Sequence, residues 1–284
     1  MDRLSLREDP EPADHAPETS GPTSFDSRRV NAVAVPVVAG LSILFTLSPL
    51  GFMMEGFHVW IHEVGHASVA WLSGHPAVPL PIGWTNVEHD KSLLFYSGVL
   101  LLLVALGFTG WRERRLWPMV LSAILIGAQG YMTWILPEDQ AHLWMIFGGV
   151  GGEFWVAASM VALFYFEFPD KFKWGACRYA VLFIGAGSFY KSYALWRLIL
   201  RGEEGIPYGS MINGEDDGGG DMNILKDDYG WTQHHIIHAY AHLANGCLVA
   251  VGVVYLIFSL GLDRMLDPIL GKLFSAGLET ADEA

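Results

Sequence analysis

The feature that most constrains this chain is the motif His62-Glu63-Val64-Gly65-His66, which lies in the apolar stretch 56–73. Two histidines four residues apart lie on one face of a helix, so both imidazoles can reach a single metal ion. Glu63 directly follows the first histidine, where a carboxylate can take the proton of a metal-bound water. Imidazoles together with an oxygen donor favour zinc. The motif therefore predicts two ligands, His62 and His66, and a catalytic base, Glu63.

The composition places this motif in a membrane protein. Only 17% of the 284 residues are charged and 52% are hydrophobic, whereas a soluble domain carries charge on about a quarter of its residues. Several apolar runs reach the length of about 20 residues that a helix needs to cross a bilayer. The net charge of -13 does not suggest a nucleic-acid partner. We expect an all-α, polytopic integral membrane protein in contact with lipids.

Histidines that only form hydrogen bonds in a buried helix are the structural alternative for the motif. The apolar flanks argue against it, because two histidines and a glutamate are costly inside a membrane unless they have a function.

The apolar runs also define the organisation of the chain. Residues 1–29 are rich in Asp, Glu, Pro and Ser, and we expect a disordered tail because such a segment buries too little apolar surface to offset its ordering entropy. A transmembrane domain over 30–265 contains an acidic loop at 202–230, and a C-terminal tail covers 266–284. The predicted spans are 30–54, 92–110, 116–136, 142–168, 179–200 and 232–262.

Four groups of basic residues predict the orientation of these spans. They lie at 28–29, 112–115, 171–178 and 264–272. All four face the cytoplasm, as the positive-inside rule favours, if the metal-motif helix and the segment after it enter and leave on the same side. This arrangement has six full spans and a re-entrant unit, with both termini cytoplasmic, and we expect it in a bacterial inner membrane. A full crossing by 56–73 gives seven helices instead and breaks the rule at 28–29.

The stretch 74–85 contains three prolines and two glycines, which exclude a helix. Non-helical backbone at membrane depth must be covered by protein or must line a cavity. We therefore expect a re-entrant segment or a strand-like ribbon packed against the active site. An interfacial loop with Trp84 among the lipid headgroups is the alternative.

A catalytic zinc usually has three protein ligands, so the motif lacks one. We favour Asp221, an oxygen donor that follows glycines 218–220, although a role as N-cap of a short helix explains this residue equally well. Glu153 is a further candidate because an intramembrane carboxylate is functional by default. It follows a glycine-rich stretch, 148–152, that allows close helix packing. For Glu153 we favour a structural ion pair with Lys191.

The last predicted span contains a second group of histidines. His234, His238 and His242 recur every four residues, and His235 shares a face with His238 and His242. The windows 58–66 and 234–242 hold three and four of the chain's 11 histidines. We expect the four histidines of the last span and His58 to line the metal site, to contact substrate or to serve as alternative ligands.

The residues 61–67, on an apolar helix of a polytopic protein, resemble the His-Glu-x-Gly-His pattern of the site-2 protease family of intramembrane zinc metallopeptidases. The proline-rich stretch is similar to the hydrophobic ribbon that this family places near its active site. The resemblance implies that His62 and His66 bind zinc and that Glu63 activates water to hydrolyse a peptide bond. The family takes its third ligand from a Leu-Asp-Gly motif, for which Gly220-Asp221-Met222-Asn223 is the nearest substitute here.

Four functions are compatible with these patterns. We favour a zinc-dependent intramembrane metallopeptidase whose substrate is a membrane protein or peptide. A di-iron membrane oxygenase of the desaturase kind is an alternative, because His58-x-x-x-His62 and His235-x-x-His238 fit its histidine boxes loosely. A seven-helix zinc amidohydrolase acting on lipids is another. A non-enzymatic metal-binding membrane protein is the fourth, although it does not need a base at Glu63.

Overall fold

The computed structural model describes residues 24–25, 27–113, 115–168, 174–209 and 218–262. Most of these residues are helical, which confirms the all-α class. The α-helices are α1 (Arg28–Leu47), α2 (Glu55–Leu72), α3 (Leu93–Arg112), α4 (Leu116–Trp134), α5 (Glu138–Ala162), α6 (Trp174–Arg201), α7 (Asp221–Asp227) and α8 (Gln233–Leu260). The strands β1 (Ala77–Leu80) and β2 (Trp84–Val87) form a hairpin. The predicted C-terminal tail and residues 1–23 of the predicted N-terminal tail lie outside the described residues.

Among the described residues, five helices are long and apolar enough to cross a membrane: α1, α3, α4, α8, and α5 with the short 3-10 helix Leu163–Tyr165 that continues it. Large apolar side chains face outward on α3, where Leu94 is 85% exposed and Leu102 is 71% exposed. Such surfaces are typical of contact with lipid or protein rather than water, so the fold is consistent with a membrane protein.

Helix α6 coincides with the remaining predicted span but is not among these five. It carries several basic side chains along its length, including Arg178, Lys191 and Arg197. The number of full spans, and the re-entrant course of α2 and the hairpin, therefore stay predictions.

The first predicted span differs from the observed helix at both ends. Helix α1 begins at Arg28, because the side chain of Ser27 accepts a hydrogen bond from the backbone nitrogen of Val30 and caps it. The predicted tail over 1–29 is therefore two residues too long. Helix α1 ends at Leu47, and residues Pro49–Met54 form a 3-10 helix with Pro49 at its first position, where the missing N–H of proline costs no hydrogen bond.

Three glycines bring α2 into backbone contact with α5. A Cβ on Gly65 would lie 2.2 Å from the carbonyl oxygen of Gly148 and 2.6 Å from the Cα of Gly152. A Cβ on Gly152 would lie 2.2 Å from the Cα of Gly65. No side chain fits at either position, so the predicted close approach at the glycine-rich stretch is confirmed. This contact sets the distance between the metal-motif helix and the side chains of α5.

The proline-rich stretch after α2 folds into the hairpin. Strands β1 and β2 are antiparallel, with Ala77 opposite Val87 and Leu80 opposite Trp84. Gly83 in the turn has a φ of 80°, which favours glycine. The indole nitrogen of Trp71 donates to the carbonyl oxygen of Ala77 at 2.9 Å and ties the hairpin to the end of α2. The expected strand-like ribbon is thus present.

Candidate metal centre

Three predicted ligands, His62, His66 and Asp221, come together where α2 meets the start of α7. Nε2 of His62 lies 3.2 Å from Nε2 of His66 and 3.2 Å from Oδ2 of Asp221. Nε2 of His66 lies 3.3 Å from the same carboxylate oxygen. The three donor atoms therefore form a nearly equilateral triangle.

The triangle has the size that a tetrahedral zinc ion requires. Zinc bonds to imidazole nitrogens and carboxylate oxygens are about 2.0–2.1 Å long, so two ligands of a tetrahedral ion lie about 3.3 Å apart. Oδ2 of Asp221 is buried and has no hydrogen-bond partner among the described residues, as expected of an oxygen that faces a cation. Three donors on one face of a tetrahedron leave the fourth position for water or substrate.

Hydrogen bonds on the far side of each ring orient the two imidazoles. Nδ1 of His66 lies 2.7 Å from the backbone oxygen of Met145, and Nδ1 of His62 lies 2.8 Å from Oε1 of Glu153. A carbonyl oxygen and an ionised carboxylate can only accept, so each Nδ1 carries a hydrogen and donates it. Nε2 of each ring then presents its lone pair to the triangle, as a metal ligand must.

Asp221 is the first residue of α7, and Gly220 occupies the N-cap position. The alternative role of Asp221 as the N-cap is therefore wrong, since its carboxylate is directed at His62 and His66. Burial alone would raise the pKa of Asp221, but positive charge on the imidazoles of His66 and His62, which a metal ion replaces when it binds, outweighs burial and holds the pKa below its ordinary value. The carboxylate is ionised at neutral pH and can bind a cation.

The residues around Asp221 hold this short helix in place. A Cβ on Gly220 would lie 2.0 Å from the carbonyl oxygen of Gly209, so only glycine allows the two backbones to touch. Oδ1 of Asn223 accepts a hydrogen bond from the backbone nitrogen of Gly209 at 2.7 Å. Met222 is buried in the hydrophobic core. Each residue of the motif that carries Asp221 thus has a local role in placing its carboxylate.

Gly149 of α5 lies directly beside the three donor atoms. A Cβ at this position would be 2.3 Å from Oδ2 of Asp221 and 2.5 Å from Nε2 of both His62 and His66. A point nearly equidistant from three atoms lies close to the line that passes through the centre of their triangle at right angles to it. An ion bound by all three atoms lies on the same line, which is the axis of the site. Only glycine leaves this axis free.

Glu63, the predicted base, is next to His62 on α2 and is 4% exposed. The hydroxyl of Thr85 on β2 lies 2.5 Å from Oε2 of Glu63 and 3.1 Å from its backbone oxygen. A threonine hydroxyl donates to a carboxylate, so Thr85 fixes the orientation of the Glu63 side chain. The hairpin therefore contacts the residue that the sequence singled out as the base.

Glu153 does not form the expected ion pair with Lys191, and that prediction is wrong. Lys191 pairs with Glu55 at the exposed start of α2. Successive residues of a helix point about 100° apart, so α6 turns Lys191 outward while it turns Ser192 toward the interior. The hydroxyl of Ser192 donates to Oε2 of Glu153 at 2.5 Å, and Nε2 of His58 lies 3.5 Å from the same oxygen. Glu153 and His58 thus surround the centre without joining the triangle.

The histidines of the last span do not join the triangle either. His234, His235 and His242 are exposed and His238 is partly exposed. The buried side of α8 instead consists of apolar residues such as Ile236, together with Tyr240. The expectation that these histidines line the metal site is therefore not met.

Thr85, Ser192 and the particular role of Gly149 could not be predicted from the sequence. Threonine and serine are common in and near apolar helices, so neither Thr85 nor Ser192 indicates a functional role by its residue type alone. The sequence marks Gly149 only as one member of the glycine-rich stretch 148–152, which favours helix packing. The contacts of all three depend on elements that are distant in the sequence.

No protein-family model matches this chain, and comparisons with curated proteins and with solved structures also gave no match.

Proposed function

We propose that this protein is a membrane-embedded zinc-dependent hydrolase and, more narrowly, an intramembrane metallopeptidase that cleaves peptide bonds in or next to the bilayer. The triangle formed by His62, His66 and Asp221, with Glu63 on the same helix as both histidines, carries the proposal. Bound zinc would supply a Lewis acid that polarises a carbonyl group and lowers the pKa of a water molecule.

In this proposal Glu63 is the residue that moves protons. Its carboxylate takes a proton from the water that attacks the carbonyl carbon, and it returns a proton to the amide nitrogen as the C–N bond breaks. Thr85 holds this carboxylate through the hydrogen bond from its hydroxyl. Glu153 and the carbonyl of Met145 keep His62 and His66 in the orientation that binds the ion.

The hairpin supports a peptide as the substrate rather than a lipid. Strand β2 pairs with β1 on one side, and among the described residues no strand pairs with its other side. An extended peptide can add to such an edge through backbone hydrogen bonds. Because Thr85 belongs to β2 and contacts Glu63, a peptide on this edge would lie next to the base.

The same geometry gives less support to the di-iron oxygenase. That chemistry needs two ions held by several groups of histidines, whereas the described residues form one group of three ligands. His235 and His238, which fitted a histidine box by spacing, lie on the outer side of α8.

The proposal can be tested with the purified full chain, loaded with zinc and reconstituted in lipid vesicles. A pool of synthetic single-span peptides is added, and the products are identified by mass spectrometry. We expect cleavage by the wild type and a loss of at least about 100-fold in Glu63→Gln, because the amide keeps the size of the side chain but cannot accept a proton. Zinc content should stay unchanged in this variant.

Glu55→Gln is the matched control, since Glu55 lies on the same helix at its exposed start. It should cleave at the wild-type rate. Wild-type activity in Glu63→Gln would remove Glu63 from the mechanism. Release of fatty acid from amide-linked lipids in the vesicles, without peptide cleavage, would instead favour the lipid amidohydrolase.

A further inference from the structure

A second group of histidines lies on the outer side of α8, apart from the metal centre. His234 and His242 are exposed, and His238 between them is partly exposed. The opposite side of the helix is closed off by Ile236 and Tyr240, which are fully buried. The three histidines, which we call the α8 row, therefore contribute little to the core, and the packing of the helix does not explain them.

The spacing within the α8 row repeats the spacing of the buried centre. The ring centroids of His234 and His238 are 4.2 Å apart, compared with 4.9 Å for His62 and His66. The next pair, His238 and His242, has a separation of 6.0 Å. Two imidazoles on successive turns of a helix can each offer one nitrogen to the same ion. The pair His234 and His238 is the better placed of the two.

The position of the row along α8 gives it access to water. The helix has 28 residues, so it is about 42 Å long at 1.5 Å per residue. The hydrocarbon core of a bilayer is only about 30 Å thick. Residues 243–260 of the helix contain no charged residue and no histidine, and their number falls within the range of about 17–25 residues that crosses this core. The α8 row precedes them and can exchange ions with the aqueous phase.

We propose that His234 and His238 form a second metal site that binds a divalent first-row transition-metal ion. Neutral imidazole is the commonest side-chain ligand for such ions. Sites with nitrogen donors bind Cu²⁺ more tightly than Ni²⁺ or Zn²⁺, so Cu²⁺ is the most sensitive probe. This site has two protein ligands, with water completing the coordination, whereas the buried centre has three protein ligands. It should therefore release its ion more readily than the buried centre.

The test uses Cu²⁺ and the full chain, purified without a histidine tag. The buried centre is disabled by His62→Ala and His66→Ala together, and folding is checked by circular dichroism and gel filtration. We expect one bound Cu²⁺ per chain, with an electron paramagnetic resonance spectrum that shows coupling to two imidazole nitrogens. Adding His238→Ala should weaken Cu²⁺ binding by at least tenfold and remove this two-nitrogen signal. If the double variant does not fold, His66→Ala alone serves as the background, because it leaves only one imidazole in the buried centre.

His235→Ala is the matched control on the same helix. The ring of His235 is stacked on Trp231 with a centroid distance of 4.1 Å, and its removal should leave Cu²⁺ binding unchanged. The proposal is overturned if neither background binds Cu²⁺. It is also overturned if His235→Ala and His238→Ala weaken binding equally, because the signal would then come from nonspecific surface histidines.

Discussion

Nδ1 of His62 donates a hydrogen bond of 2.8 Å to Oε1 of Glu153, a residue of α5 that is only 6% exposed. The bond crosses the interface at which Gly65 and Gly152 bring the two helices into backbone contact. It fixes both the ring orientation and the tautomer of a candidate ligand, and a carboxylate in this position raises the basicity of the ligating nitrogen. The packing of two helices thereby determines how well His62 can bind a metal.

Replacing Glu153 should weaken the metal centre without removing a ligand. We expect Glu153→Gln to lower zinc affinity by about 10–100-fold, because the amide keeps an acceptor but loses the charge that strengthens the bond to His62. Competition with a chelator of known affinity measures this change. Asp139→Asn, at an exposed position in the first turn of the same helix, should leave the affinity unchanged. Unchanged affinity in Glu153→Gln would show that His62 does not depend on this carboxylate.

Gly149→Ala should abolish zinc binding although it adds a single methyl group. The new Cβ would lie within 2.5 Å of all three donor atoms, and real Cβ atoms do not approach other atoms so closely. Metal analysis of the purified protein measures the loss. Gly130→Ala is the control, because a Cβ there has nothing within 4 Å and alanine is the better helix former. Full zinc content in Gly149→Ala would contradict the geometry of the triangle.

Asp221→Ala should remove a ligand rather than a helix cap. Loss of a cap costs about 0.5–2 kcal/mol of stability and leaves bound metal alone, whereas loss of one of three ligands should lower the affinity severely. We expect zinc to be absent after dialysis against a chelator that strips weak surface sites. Asp227→Ala, at the exposed end of the same helix, should retain it. Zinc at wild-type stoichiometry in Asp221→Ala would exclude Asp221 as a ligand.

Local sequence patterns predicted the parts of the site that lie on one helix. The spacing of His62 and His66 fixes their common face, and the glycines of α5 predicted a close helix contact. Asp221 was one of several candidates because nothing in its own neighbourhood distinguishes a ligand from a cap. The two roles are separated by the start of α7 at Asp221, with Gly220 as its N-cap, and by the position of α7 beside His62 and His66, which the sequence does not reveal.

Predictions from the sequence were wrong where they depended on the direction in which a side chain points in the folded protein. Lys191 and Ser192 are adjacent, and the charge of Lys191 made it the more probable partner of Glu153. In the structure α6 is rotated so that Ser192 faces Glu153 and Lys191 faces Glu55. The histidines of α8 were misjudged for the same reason, because their regular spacing defines a face of the helix but not whether that face is turned toward the core.

Thr85→Val should impair turnover while it leaves zinc in place. Valine has nearly the shape of threonine, but it cannot donate the hydrogen bond that holds the Glu63 carboxylate. A hydrogen bond to a charged group contributes about 1.5–3 kcal/mol, and about 1.4 kcal/mol corresponds to tenfold in rate, so we expect cleavage to slow by about tenfold or more. Thr109→Val is the control, because the exposed hydroxyl of Thr109 donates to the backbone oxygen of Ala105 in its own helix. An unchanged rate in Thr85→Val would show that the hairpin does not position the base.

The last prediction concerns whether α6 crosses the membrane. Three helices, α4, α5 and α6, separate Glu113 from Glu203. If all three cross, the two positions lie on opposite sides, and the positive-inside rule predicts that the side of the arginines next to Glu113 is the cytoplasm. We expect an impermeant maleimide to label Glu203→Cys on intact cells and to label Glu113→Cys only after permeabilisation.

The natural cysteines, Cys177 and Cys247, must first be replaced by serine, since Cys177 is exposed and would react itself. The cysteine-free chain without an added cysteine is the control and should give no labelling. The result decides whether α6 spans the bilayer, which hydropathy leaves open, because α6 is not among the five helices of the described residues that have the length and hydropathy of a membrane span. Labelling of both positions from the same side would mean two crossings between them. Helix α6 would then pack inside the protein without spanning the bilayer, and the six-span arrangement would be wrong.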